Sequence, residues 1–315
     1  MRAVVTGAGG FIGGHLCHYL KDQGYWIRGI DIKNPEFENT YADEYILYDL
    51  RYPAAGYFKD IDEVYHLAAD MGGIGYIETH KAEIVFNNTM IDMLTLKVAQ
   101  EEGVKKFLYT SSACVYPGYL QNKDKKIFLK EENAYPADAE DGYGWQKLMT
   151  KRTCRHFMED LGLQTYVVRF HNIYGPLGTY QGGREKSPAA LCRKVAMAKD
   201  GEAIEIWGNG RQIRSYCYID DCVRGIYKLM QSYHHEPINI GSDRAISIEN
   251  LADMIIKISS KKLTKIHHLG QAIGVKSRNA DITKAKNLLD WTPQITLERG
   301  LEETYKWIQG QISQS

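Results

Sequence analysis

The chain opens on a short apolar run, Arg2-Ala3-Val4-Val5-Thr6, and then carries glycine at positions 7, 9, 10 and 13. After that turn, Phe11, Ile12, Leu16 and Leu20 recur at helical spacing, which predicts a helix to about Asp22. Strand, glycine turn and helix in that order leave few folds open. In a dinucleotide-binding βαβ unit, Gly7 allows the tight turn, Gly10 lets a pyrophosphate approach, and Gly13 lets helix and strand pack closely. The helix start then offers unpaired amides and a positive dipole end to phosphate. A second strand, 25–30, ends in Asp31. A carboxylate there accepts from ribose hydroxyls and repels a 2′-phosphate, so NAD is expected over NADP.

The alternation continues. Strands are expected at 45–48, ending at Asp49 and Leu50, and at 64–69, ending in Leu67-Ala68-Ala69. Asp49 is the expected partner of the adenine side, and the small residues after Leu67 let a cofactor approach the backbone. With Phe11 and Ile12 these complete the expected cofactor-binding set. Residues 70–75 read as a turn, and 78–102 as a helix with Met90, Ile91, Leu94 and Val98 on one face. A strand at 104–110 delivers Ser111 to Cys114 to the carboxyl edge, where open α/β sheets bind ligands. Residues 117–138 read as a surface loop, 141–161 as a helix and 165–170 as a strand. Beyond that the regular pattern fails. A glycine-rich loop at 178–183 precedes a helix from Pro188, a strand at 264–268 and a last helix from 297.

The expected fold is therefore α/β, a doubly wound parallel (Rossmann) sheet with a smaller C-terminal α+β lobe. Residues 1–175 form the nucleotide-binding domain and 176–315 mainly the substrate lobe, with some later strands and helices returning to the first domain.

Composition excludes several classes. The 315 residues carry zero formal net charge, so nothing favours nucleic acid or an anionic membrane. No apolar run approaches the roughly 20 residues that span a bilayer. The first residues lack a signal peptide's basic and apolar regions, and a cytoplasmic protein is expected. Cysteines 17, 114, 154, 192, 217 and 222 form no CxxC pair and no metal-like spacing, so no metal is expected. Buried packing is the default reading of each.

Tyr143 and Lys147 lie four apart on one predicted helix. A free phenol has a pKa of about 10, and a neighbouring ammonium lowers it. Lys147 can supply that charge and hold the nicotinamide ribose. Ser112 can bond the same substrate oxygen. Together the three can take a proton from a secondary alcohol while hydride leaves to NAD.

Gly7-x-x-Gly10-x-x-Gly13, Ser112 and Tyr143-x-x-x-Lys147 resemble the extended short-chain dehydrogenase/reductase superfamily, in its nucleotide-sugar-modifying branch. Further segments resemble the GDP-mannose 3,5-epimerase family: 70–73, 87–90, 111–114, 169–176, Gly182-Gly183-Arg184-Glu185-Lys186 and 212–215. The resemblance implies transient oxidation at C4, proton exchange at C5 and C3, and re-reduction. GDP-mannose would become GDP-L-galactose or GDP-L-gulose. The keto group makes the neighbouring hydrogens acidic, and the resemblance gives the proton transfers to Cys114 and Lys186. It makes Arg214 and Arg278 diphosphate-binding, and adds Met71, Gly72, Gly73, Asn172, Glu185, Ser187, Lys194 and Gln212 as substrate contacts. It also implies a homodimer through helices near 88–102 and 141–160.

C4-epimerases of the superfamily carry Thr where Cys114 stands, and 4,6-dehydratases an Asp-Glu pair. Neither signature is present. Alternatives are the same chemistry on another nucleotide sugar such as a GDP-heptose, a nucleotide-sugar 4-epimerase, or a non-enzymatic NAD sensor or scaffold.

Overall fold

The structure is a computed structural model, and it describes residues 1–123, 125–270 and 274–314. In chain order it runs β1 (Arg2–Thr6), α1 (Phe11–Asp22), β2 (Trp26–Asp31), β3 (Glu44–Leu47), β4 (Glu63–His66), α2 (Ile74–Thr79), α3 (Lys81–Glu101) and β5 (Lys106–Ser112). It continues through α4 (Gly118–Gln121), β6 (Phe128–Leu129), α5 (Asp141–Leu161), β7 (Gln164–Phe170), β8 (Ile173–Tyr174), α6 (Ser187–Met197) and β9 (Ala203–Trp207). Next come β10 (Ile213–Ser215), β11 (Cys217–Tyr218), α7 (Ile219–Met230), β12 (Ile238–Ile240), β13 (Ala245–Ser247) and α8 (Ile248–Ser259). The chain closes with β14 (Thr264–His268), β15 (Ser277–Ala280), α9 (Thr283–Leu289) and α10 (Leu297–Gln314).

Seven strands form the central sheet in the order β3-β2-β1-β4-β5-β7-β12, every neighbour parallel. Side chains alternate between faces along a strand, and both faces of this sheet are covered. Ala3 and Val5 join one cluster with Leu16 and Leu20 of α1 and Ile226 of α7. Val4 joins the other, with Leu96 and Ala99 of α3 and Cys154 of α5. Helices on both faces of a parallel sheet, with the strand order turning outward from β1 and β4, make the doubly wound fold. β12 and α7 come from the later half of the sequence yet belong to this layer. The second lobe holds a four-stranded sheet, β13-β10-β15-β6, and a β14-β9 pair, with α6, α8 and α10 packed together.

Three local expectations need correction. Residues 117–138 are not a mere surface loop. They contain α4 and β6, β6 pairs with β15, and Gln121, Leu129, Glu131 and Ala134 are buried. Leu120, Ile127, Leu129 and Ala134 pack with Ala113, Val115, Tyr116 and Leu148, and long-range polar contacts hold Gln121 and Glu131. β4 stops at His66, and the amides of Leu67 and Ala68 turn to Thr6 Oγ1, each at 3.2 Å. On α3, Met90, Ile91 and Leu94 are only half-buried, whereas Asn88, Asp92 and Thr95 are fully enclosed. The buried face of α3 combines these polar residues with Ile84, Leu96, Val98 and Ala99.

Candidate active site

The glycine turn is built for close approach. Gly7 has a φ of 72°, and a Cβ there would stand 2.8 Å from the Ala68 amide nitrogen. A Cβ on Gly13 would stand 2.0 Å from Gly7 O. α1 starts at Gly10 with no side-chain cap, so its first amides remain for a phosphate. At the end of β2, Asp31 Oδ2 accepts from Gly9 N at 2.9 Å and Oδ1 from Lys33 N at 3.2 Å. Burial raises the Asp31 carboxyl above its usual value. Asp49 is ion-paired with Arg51 at 2.7 Å, and Leu50 is buried beside it in sequence.

The candidate catalytic residues gather where β5 ends. Ser112 Oγ accepts from Cys114 N at 3.2 Å and caps a 3₁₀ turn over 113–115. α5 docks on that turn: Glu140 N donates to Cys114 O at 2.9 Å, and a Cβ on Gly144 would stand 2.2 Å from that oxygen. This docking brings Tyr143 to Ser112 and Cys114. Burial pushes the Tyr143 phenol well above its ordinary value, and the nearby Cys114 adds to the shift; Ser112 pulls it down. Lys147 does not lower it in the protein alone. Its Nζ lies 5.9 Å from the Tyr143 ring centre, and its charge faces Asp92 Oδ2 at 3.7 Å. The Lys147 ammonium is buried and makes no hydrogen bond among the described residues. An uncapped helix start, a ribose-sized carboxylate site and an orphaned buried ammonium together fit a bound NAD.

On the other side of the cleft, Lys186 immediately precedes α6 and reaches solvent. The protein crowding its ammonium still lowers its pKa, against the pull of Cys114. Cys114 is pushed up by burial, and drawn down chiefly by Arg278. Arg278 Nη1 donates to Cys114 Sγ at 3.5 Å, its Nε to Gln121 Oε1 at 2.6 Å, and its Nη2 pairs with Glu140. Thus one of the expected diphosphate arginines sits at the thiol. Arg214 donates to Val275 O at 2.6 Å, and burial, with Arg278 nearby, lowers its pKa to about 10.

The remaining substrate candidates lie on two loops, on α6 and beside β7 and β10. Gly73 N donates to Arg184 O at 3.1 Å, so the Met71-Gly72-Gly73 turn meets the 182–186 loop. Ser187 Oγ and Tyr216 OH are 2.7 Å apart, and Asn172 Nδ2 donates to Ser215 O at 2.9 Å. Gln212 is buried, with Nε2 facing Trp207 O at 3.4 Å. Glu185 turns to its own loop, accepting from Gly183 N at 2.7 Å, and Lys194 donates to Glu205 O at 2.9 Å. Sequence reasoning missed Asp92, Gln121 and Glu140. For Asp92 the one available signal was a carboxylate four residues after Asn88 on an otherwise core-facing helix stripe.

A sequence model described as the NAD dependent epimerase/dehydratase family matches residues 3–241. GDP-mannose 3,5-epimerase from Arabidopsis thaliana is 43% identical over 316 aligned positions, covering 99% of this chain and 83% of that protein. GDP-mannose 3,5-epimerase 1 from Oryza sativa subsp. indica is 44% identical, covering 99% and 82%. Among solved structures, UDP-glucose 4-epimerase from Thermotoga maritima with UDP-glucose superposes with a TM-score of 0.88 at 26% identity, covering 99% and 100%. UDP-glucuronic acid 4-epimerase from Bacillus cereus, in complex with UDP-glucuronic acid and NAD, gives 0.82 at 29%, with the same coverage. With a family model matching most of its length and GDP-mannose 3,5-epimerases above 40% identity across 99% of it, the chain belongs to the NAD dependent epimerase/dehydratase family.

Proposed function

We propose that this protein is a GDP-mannose 3,5-epimerase that retains its NAD through each cycle. The observation that carries the reading is the second proton-transfer pair. Cys114 and Lys186 each shift the other's proton affinity, and Cys114 shifts that of Tyr143. A simple 4-epimerase needs only Ser112, Tyr143 and Lys147. Bound NAD supplies the hydride acceptor, and later the donor, at C4. Tyr143 takes the C4 hydroxyl proton and returns it at the end, while Ser112 holds the oxygen. Lys147 presents its ammonium to the nicotinamide ribose. Cys114 and Lys186 remove and return protons at C5 and C3 while C4 is a ketone. Arg278 steadies the thiol's charge at the reacting end, and Arg214 offers a planar fork to the diphosphate.

Incubation with GDP-mannose in D₂O tests this by NMR of the product. Deuterium at C3 or C5 is expected, and Cys114→Ser and Lys186→Ala lose it. Product inverted only at C4 and free of deuterium overturns the reading in favour of a 4-epimerase. A GDP-heptose turned over in preference to GDP-mannose changes the sugar and keeps the mechanism.

A homodimer is also proposed. Phe86 on α3 and Trp145 and Met149 on α5 are exposed, and Ala82, Val85, Phe86 and Gly142 line an open apolar groove between those helices. Phe86→Asp should convert a dimer to a monomer in light scattering; an unchanged mass would place the interface elsewhere. The proposed compartment is the cytoplasm, supported by six cysteines that form no disulfide. No helix among the described residues is long and apolar enough to cross a membrane.

A further inference from the structure

A polar chain runs beneath the site, between the nucleotide turn and the catalytic helix. Thr6, the last residue before the glycine turn, accepts from the Leu67 and Ala68 amides and lies 2.8 Å from His66 Nδ1. With its acceptor role filled by those amides, its hydroxyl proton points to Nδ1. His66 Nε2 then carries the proton that faces Asp92 Oδ1 at 3.0 Å. Asp92 Oδ2 accepts from Tyr109 OH and from Gln146 Nε2, each at 2.7 Å. The carboxylate is completely enclosed. A buried charge of this kind is costly without an opposite charge, and Lys147, 3.7 Å away, is the cation of this chain of contacts.

The distance is informative. Asp92 is near enough for charge pairing, but its oxygens are already occupied by donors from β4, β5 and α5. It therefore attracts the ammonium without capturing its hydrogens. Lys147 Nζ is held 4.8 Å from the Tyr109 ring centre and has no hydrogen bond of its own among the described residues. We propose that Asp92 is a positioning residue that serves as the buried counter-ion of Lys147, keeping the ammonium charged while leaving its N–H groups for the nicotinamide ribose.

The electrostatics agree with that geometry. Burial lowers the Lys147 pKa, and Asp92 is the chief influence raising it. Burial raises the Asp92 carboxyl, but Lys147, His66 and Tyr109 outweigh it and bring it down to about 2. The groups facing Asp92 are His66 from β4, Tyr109 from β5, and Gln146, Lys147 and Cys154 from α5. Asp92 also slightly opposes ionisation of Tyr143, the smallest of the influences there. This inference rests only on the redox half of the proposed reaction and is indifferent to which nucleotide sugar is oxidised.

The test is an NMR titration of lysine-labelled full-length protein without substrate, with Lys147 assigned by its absence in Lys147→Arg. A charged Lys147 at neutral pH is expected in the wild type. In Asp92→Asn its midpoint falls by about 1 to 3 pH units, and the alkaline limb of kcat for C4 oxidation moves down with it. At a fixed pH on that limb the loss is tenfold or more. Asp92→Glu restores part of the shift. A neutral Lys147 in the wild type at pH 7 overturns the proposal without reference to any variant. So does an Asp92→Asn protein that folds, binds NAD and keeps both the Lys147 midpoint and the alkaline limb unchanged. If the substrate proves not to be a GDP-sugar, the substrate-free titration still decides the matter.

Discussion

Two lysines serve one cleft in opposite ways. Lys147 lies inside α5, completely buried, with a carboxylate beside it and no freedom to leave. Lys186 precedes α6 at the end of a glycine-rich loop, reaches solvent, and has the thiols of Cys114 and Cys222 and the Arg278 guanidinium as its ionisable neighbours. Desolvation lowers the pKa of both, through full burial for Lys147 and through the protein crowding the ammonium for Lys186. The difference lies in what opposes it. A fixed carboxylate holds Lys147 charged, which suits a group that orients and polarises. Lys186 has no such partner, only the thiols of Cys114 and Cys222, which suits the proton-transfer role proposed for it. The same side chain thus becomes a fixed charge or a proton carrier according to its neighbours.

The sharpest way to break this comparison is to remove each lysine in turn. Lys186→Ala should reduce solvent deuterium exchange by about 10²–10⁴-fold while a single-turnover C4 oxidation, read as reduced nicotinamide, persists. Lys147→Met should lose both. If Lys186→Ala also abolishes oxidation, the two roles are not separable. A smaller effect is expected from Tyr109→Phe, which deletes one 2.7 Å donor to the enclosed Asp92 carboxylate. Chemical denaturation should show a loss of about 1–3 kcal/mol. Tyr76→Phe deletes a comparable bond to the more accessible Asp70 and should cost no more than about 0.5 kcal/mol. Equal losses would mean that burial of the acceptor does not matter here.

The mildest test is acid titration of stability. Asp92 is depressed in the folded state, so the unfolded chain binds its proton more readily. Its stabilising effect is present above the ordinary carboxylate pKa of about 4. It is lost as pH falls through the folded value of about 2. Asp92→Asn should flatten the stability curve across that window; an unchanged slope would remove Asp92 as its source. The two lysines also lose protons more readily when folded, but there the lowered pKa disfavours the charged form instead of favouring it. Their influence makes stability rise with pH above their folded pKa values.

Much of the nucleotide-binding half was legible because its signals are local. A strand, a glycine turn that excludes Cβ atoms, a helix and an acid at the end of β2 follow one another within 30 residues, and each has its own steric or electrostatic reason. Tyr143 and Lys147 were legible for the same reason, sharing a helix face. Cys114 stood out by its place beside Ser112, although its guanidinium neighbour comes from β15, 164 positions away in sequence. The 117–138 segment misled because its burial relies on packing against Val115, Tyr116 and Leu148 and on hydrogen bonds with Arg278 and Asn239. None of these is visible from the segment itself.

The sequence by itself determined the layered fold and the NAD turn, and it singled out the groups proposed to react, because backbone geometry and side-chain periodicity act over a few residues. Only the tertiary structure decided their charges. Asp92, His66, Tyr109 and Lys147 come from four different elements, and Arg278 reaches Cys114 from the second lobe. Proton affinity depends on desolvation and on charges a few ångströms away, and those distances exist only once the elements have packed.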